Sequence, residues 1–121
     1  MTYYIDSFFK NYANFSGRCS RGYFWRVLIT TDLILIASFL PYYFLQKVEF
    51  LNLISLLFLG IVVLINLVPF LSLIFRRVHD VDYSFWNLLI PFYNLYILYL
   101  IFLVEGTSGA NTYGDPYPEL E

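Results

Sequence analysis

The sequence predicts an all-α membrane protein: three transmembrane helices, preceded by a short amphipathic interfacial helix and followed by a turn-rich C-terminal tail. Three observations carry that prediction. The 121-residue chain is 60% hydrophobic and 13% charged, whereas ordinary globular chains are about a quarter charged and a soluble domain this small could not hide so much apolar surface. Three apolar runs reach the roughly 20 residues that a helix needs to cross about 30 Å of hydrocarbon. No alternation of apolar and polar residues at a period of two competes with them. The whole of 1–121 reads as a single membrane domain.

The first element is an interfacial helix over 3–15. Tyr4, Phe8, Tyr12 and Phe15 recur at helical spacing, while Asp6, Lys10, Asn11 and Asn14 take the other positions, a pattern suited to lying flat at the inner membrane surface. "SGRCSRG" then makes a polar, basic turn into the first span, 23–46, which only Asp32 interrupts between Val27 and Gln46. This run is too long for a signal-peptide core and lacks a small-residue cleavage site, so it is expected to be a retained anchor.

The second span covers 50–77, with no charge from Phe50 to Phe75, and the third covers 83–105, with none from Tyr83 to Val104. Pro41, Pro69 and Pro91 each interrupt a run, which membrane helices tolerate when a neighbour satisfies the freed carbonyl. Pro91 and Asn94 leave two readings of the third run. It is a single kinked span, the reading taken here, or a re-entrant segment in two halves of roughly 11 residues that each reach half-way. The tail, 106–121, is a string of turn formers in which Gly106 can cap the third helix and Gly109, Gly114, Pro116 and Pro118 prevent its continuation. Tyr113 and Tyr117 suggest a compact cap on the helix ends.

Orientation follows from lysine and arginine. Lys10, Arg18, Arg21 and Arg26 lie before the apolar run that starts at Val27, and Arg76 and Arg77 after the one that ends at Phe75, whereas the first loop holds only Lys47 and the tail none. Six against one places the N-terminus and the "RRVHD" loop in the cytoplasm and, with three spans, the tail outside. Tyr23, Trp25, Tyr83 and Trp86 would form an aromatic belt at the inner surface.

The charges that remain define the candidate sites. In "RRVHD", Arg76 lies four residues and Arg77 three before Asp80, so the three can meet at a helix end, where arginine also suits the helix dipole. Asp32 lies about 9 Å along the helix from Arg26 at 1.5 Å per residue, and a carboxylate at that depth is expected to face inward toward a partner. Asn87 lies at a similar depth on the third run. Asp32, Arg76, Arg77, His79, Asp80 and Asn87 are therefore grouped as a structural or interaction cluster, with Asp32 expected to meet Arg77. Arg18 and Arg21 form a candidate basic face for anionic lipid headgroups or a partner.

Several chemistries lack their residues. Cys19 is the single cysteine, so there is no internal disulfide, and with the single His79 it cannot complete a tetrahedral zinc site. His79 beside Asp80 is not a catalytic triad, because neighbours on a helix point about 100° apart. No phosphate-binding loop is present. No cofactor and no nucleic-acid partner are expected.

"FSGRCSRGYFW" (15–25), "RRVHD" (76–80), "SFW" (84–86) and "GTSGANTYGDP" (106–116), in that order and spacing, resemble the YhaH-like bacterial inner-membrane family, a domain of unknown function. The resemblance covers nearly the whole chain and implies a small multi-pass inner-membrane protein without assigning an activity. The family usually has leucine at Val78, glycine at Phe85 and arginine at Thr112. Losing that arginine weakens an anion-binding role for the tail. The expected function is an accessory or assembly component, not an enzyme, acting through lipids and a membrane-protein partner or a second copy. The alternative is an oligomeric solute or ion transport component using Asp32 and the intramembrane asparagines.

Overall fold

The computed structural model describes residues 2–118, and those residues form helices and turns without a strand. Helix α1 (Thr2–Ile5) runs into a π-helical turn, Asp6–Lys10. Helix α2 (Arg21–Phe44) and helix α3 (Glu49–Asp80) form an antiparallel pair joined by a tight turn at Leu45–Val48. A 3₁₀ turn, Phe85–Leu89, then precedes helix α4 (Tyr93–Leu103) and the tail. Residues 119–121, the end of the expected 106–121 tail, lie outside the described residues.

Among the described residues, helices α2 and α3 are the two that are long and apolar enough to cross a membrane, and few of the residues in either are buried inside the protein. Ile29, Leu33 and Ile36 on α2 and Leu53, Leu57 and Leu64 on α3 are all exposed. At 1.5 Å per residue α2 is about 36 Å long and α3 about 48 Å, so α3 extends beyond what a bilayer core needs. The surplus is its C-terminal end, where the buried residues concentrate: Leu73, Arg76, Arg77, Val78, His79 and Asp80.

Pro69 shows how this end is secured. Proline has no amide to give to the carbonyl four residues earlier, which leaves Ile65 O free within α3. The Tyr12 hydroxyl donates to Ile65 O at 2.9 Å. Tyr4 reaches the same stretch, donating to Asn66 Oδ1 at 2.6 Å. The N-terminal segment therefore packs against α3 rather than lying apart at the surface. The expected single helix over 3–15 is shorter, and its expected polar face is partly buried. The π turn closes with Asn11 N donating to Asp6 O at 3.1 Å, and Asp6, Ser7 and Asn11 point inward. One extra residue in the turn rotates these side chains off the solvent face.

The third apolar run departs further from the expected helix over 83–105. It breaks at Pro91–Phe92, where Phe92 has φ of 65°. Helix α4 has 11 residues, about 16 Å at 1.5 Å per residue. Its C-terminal half packs beside the last turn of α3, and its first turn meets Tyr83. Tyr83, which donates its amide to Val78 O at 3.1 Å, stacks edge-on with Tyr93 and Tyr96. Ile97, Leu100 and Ile101 bury against Val78 and Val81. Phe102 packs on Phe24 and Trp25 in the first turn of α2. The chain therefore folds back to the end of the α2–α3 pair from which it left.

A left-handed conformation at a bulky residue costs on the order of 1–3 kcal/mol. Phe92 is 87% exposed and loses little packing on truncation. Phe92→Gly is therefore expected to raise the thermal midpoint in detergent, and Phe92→Val to lower it.

Candidate functional site

Each residue of "RRVHD" holds a different part of the chain against the end of α3. Arg77 Nη1 donates to Asp80 Oδ2 at 2.8 Å, Nε to Ile101 O at 2.8 Å and Nη2 to Leu100 O at 3.4 Å and to Val104 O. Those carbonyls lie in the last turn of α4 and at its C-cap, Val104, where the helix runs out of amides; only Leu100 O also receives one, from Val104 N at 3.2 Å. Trp25 Nε1 takes Phe102 O at 2.7 Å and Arg21 Nη1 takes Leu103 O at 2.9 Å. The C-terminus of α4 is thus capped by side chains of α2 and α3. Cations suit that end of the helix dipole.

Asp80 receives a second arginine. Arg18 Nε donates to Asp80 Oδ1 at 3.0 Å. Its Nη1 donates to Gly109 O at 2.7 Å and Gly114 O at 2.9 Å, and its Nη2 to Thr107 O at 2.7 Å. Arg18, Arg76 and Arg77 are all among the fully buried side chains. The tail folds into the shape that Arg18 reads, with Asn111 and Gly114 exchanging backbone hydrogen bonds at 2.9 and 3.0 Å. It also caps α3: Thr107 N donates to Asp80 O at 2.9 Å, and Asn111 Nδ2 to His79 O at 3.0 Å. Gly106 approaches Asp80 so closely that a Cβ there would stand 1.8 Å from Asp80 Oδ2.

Arg76 faces the N-terminal segment. Its Nη2 donates to Ser7 Oγ at 2.9 Å and its Nη1 to the Tyr23 hydroxyl at 3.3 Å. Tyr23 in turn donates to Asp6 Oδ2 at 2.9 Å, which also accepts from Tyr117 OH at 2.8 Å and Asn11 Nδ2 at 3.0 Å. The nearest acid therefore reaches Arg76 through a hydroxyl. His79 Nδ1 lies 3.1 Å from Gly17 O, and its ring stacks on Tyr113 with centroids 3.9 Å apart. Cys19 sits beneath this assembly, wholly buried, its amide donating to Arg76 O at 3.2 Å. Burial pushes its thiol up to about 12, against the opposing pull of Arg76 and Arg77.

The expected cluster divides. Arg76, Arg77, His79 and Asp80 come together, and they recruit Arg18. Asp32 does not join them: it is exposed on the flank of α2, and Arg77 takes Asp80 instead. The reason is rotation and reach, since Arg77 folds along its own helix end toward α4. Asn87 is half-buried in the 3₁₀ turn with no hydrogen bond to the arginines. Arg18 is not a surface cation, because Asp80 and the tail carbonyls occupy it. Arg21 is half-buried and pairs with Glu105 at 3.1 Å. Asp6, Ser7, Tyr23, Thr107 and Asn111 were absent from the sequence-derived set. Only the turn-rich character of the tail and the helical spacing of the N-terminal aromatics hinted at their involvement.

The family described as protein of unknown function (DUF805) matches residues 12–115. The chain is 36% identical over 127 residues to inner membrane protein YhaI of Escherichia coli (strain K12), covering 95% of this chain and 94% of that protein. It is 32% identical over 120 residues to inner membrane protein YhaH of the same strain, covering 93% of each. No solved structure matches.

Removing a buried carboxylate strands its cations, an effect of about 3–5 kcal/mol. Asp80→Ala is expected to lose most folded protein in detergent, and Arg18→Ala/Asp80→Ala to recover part of it. Gly106→Ala should behave like Asp80→Ala through steric clash alone. Cys19 reads out all three: in the wild type a permeant maleimide should leave it unmodified at neutral pH until denaturant is added, whereas Asp80→Ala and Gly106→Ala should expose it.

Proposed function

This chain belongs to the DUF805 family, and from that premise we propose that it is an integral inner-membrane protein that works through contacts. Its role is that of an accessory or assembly component. The observation that carries this reading is the occupation of the charged groups. Arg18, Arg76, Arg77 and Asp80 bond one another, backbone carbonyls and hydroxyls. His79 is stacked on Tyr113 and engaged with Gly17 O. Groups committed in this way stabilise a platform and are poorly placed to exchange protons with a substrate.

In the proposed placement α2 and α3 cross the bilayer, and Leu45–Val48, with Lys47, faces outward. Both the N-terminal segment and the tail lie on the cytoplasmic side. The lysine and arginine distribution supports the sides given to the N-terminal segment and to Lys47, the short folded-back α4 supports the side given to the tail, and the names of the relatives support an inner-membrane location. Helix α4 is then an apolar segment embedded in the inner leaflet. Asp32 supports association within the membrane. A carboxylate facing outward from a spanning helix requires a polar partner, supplied by another membrane protein or a second copy. A transport role is the second reading, with Asp32 between copies; Asn66, bonded to Tyr4, does not serve as a free lining group.

Labelling tests the placement directly, with buried Cys19 as a silent background. Lys47→Cys should react with an impermeant maleimide added outside whole cells stripped of their outer membrane. Thr112→Cys, on the exposed tail turn, should react only after permeabilisation. External labelling of Thr112→Cys would mean that the third run crosses after all. Affinity purification in mild detergent should recover a stoichiometric partner or a homo-oligomer, lost in Asp32→Leu while Cys19 stays shielded. A proton or solute flux abolished by Asp32→Asn, with assembly unchanged, would favour transport.

A further inference from the structure

Where α2 begins, a cleft of about 560 Å³ opens between its first turn, Tyr3 and the chain from Glu105 to Ser108. Its charge is unbalanced. At the floor, Arg18 is paired with Asp80, which Arg77 shares. On the wall, half-buried Arg21 is paired with exposed Glu105. Arg26, also exposed, holds its guanidinium 4.5 Å above the ring of Tyr3, and no carboxylate lies within ion-pair distance of it among the described residues. The α2 terminus adds a partial positive charge at the same place. Ser20 accepts the Tyr23 amide, and the amides of Arg21 and Gly22 begin the helix at the lip of the cleft, where Gly22 leaves open space.

We infer that this cleft binds the phosphodiester headgroup of an anionic phospholipid. The volume suits a small polar ligand, and two arginines facing one available carboxylate favour an anion that offers several oxygens to a planar guanidinium. The surroundings select a lipid over a soluble phosphate. Arg26, Ile29, Leu33 and Ile36 follow one another at three- and four-residue steps on α2 and so share a face. The three apolar members are 53%, 61% and 58% exposed. A headgroup phosphate at Arg26 places its acyl chain along that stripe, with the cation at the depth where phosphates of the inner leaflet lie in the proposed placement. Glu105 competes for Arg21 and sets the strength of binding.

The inference rests on that membrane placement. It is read in purified protein by lipid retention, so it and the topology can fail separately. The protein is exchanged into detergent containing phosphatidylcholine or phosphatidylglycerol, and bound lipid is counted by native mass spectrometry. The wild type should retain phosphatidylglycerol preferentially. Arg26→Gln should reduce that retention about tenfold, the equivalent of one charge-assisted contact, while Cys19 remains shielded. Glu105→Gln should increase retention, an outcome that a purely structural role for the pair does not produce. Equal retention of the two lipids overturns the proposal, as does unchanged retention in Arg26→Gln. Displacement of the lipid by soluble glycerol 3-phosphate at matching concentration would reassign the cleft to a free phosphate. Should Arg26→Gln expose Cys19, the Glu105→Gln arm decides: tighter retention supports lipid binding and no change overturns it.

Discussion

Asp80 is shared by two arginines that come from different parts of the chain, and most of the tertiary structure hangs on that shared carboxylate. Arg18 arrives from the loop before α2 and Arg77 from α3 itself, at 3.0 and 2.8 Å. Each arginine spends its remaining donors elsewhere, Arg18 on the tail and Arg77 on the end of α4. The carboxylate therefore fixes the loop, the tail and α4 with respect to one helix end. Buried ion pairs contribute little net stability, because desolvation offsets most of the attraction, but breaking one is severe. Their value lies in specifying one arrangement. An apolar surface alone would let α4 slide on α3, whereas Arg77 accepts only the register that brings Leu100, Ile101 and Val104 carbonyls to it.

The positive charge buried here exceeds the negative. Arg18, Arg76 and Arg77 face Asp80 and Asp6, and the deficit is met by helix-end carbonyls and by oriented hydroxyls. Tyr23 is the instructive case, accepting from Arg76 while donating to Asp6. That relay lets a carboxylate two contacts away stabilise a guanidinium without touching it. The same economy appears at Pro69, where Tyr12 repairs the carbonyl that the proline leaves open. In both places the N-terminal segment supplies what α3 lacks, which explains why a stretch with the composition of a surface helix is folded into the core.

The sequence made α2, α3 and the importance of the 76–80 segment legible, because length, apolarity and isolated charge are one-dimensional signals. It concealed the route of the third run. Tyr83 to Val104 contains no charge, so hydropathy treats a crossing helix and a folded-back one alike. The break needs Phe92 in a left-handed conformation, which no propensity favours. The lysine and arginine rule was equally blind, since the tail carries neither residue and its side of the membrane leaves the six-to-one asymmetry unchanged. Asp32 misled for a different reason: depth was readable but helix rotation was not. An inward carboxylate was the expectation, and the structure instead leaves Asp32 exposed on the flank of α2.

Arg18 was misread as surface for want of its ligands, and those ligands explain the pattern of resemblance. The three longest fragments that resemble the family, 15–25, 76–80 and 106–116, are far apart in sequence, yet each supplies part of the Asp80 assembly: Arg18, Arg77 with Asp80, and the carbonyls of Thr107, Gly109 and Gly114. The fourth, at 84–86, packs Phe85 on Phe75 with ring centroids 4.0 Å apart, one residue from Arg76. Lipid-facing positions need only be apolar and of suitable length, so many residues serve. A guanidinium that must reach three carbonyls and a carboxylate, under a glycine whose added methyl would collide with that carboxylate, admits few alternatives. Hydrogen-bond geometry is most exacting at the polar lock at one end of the two long helices, where those fragments meet.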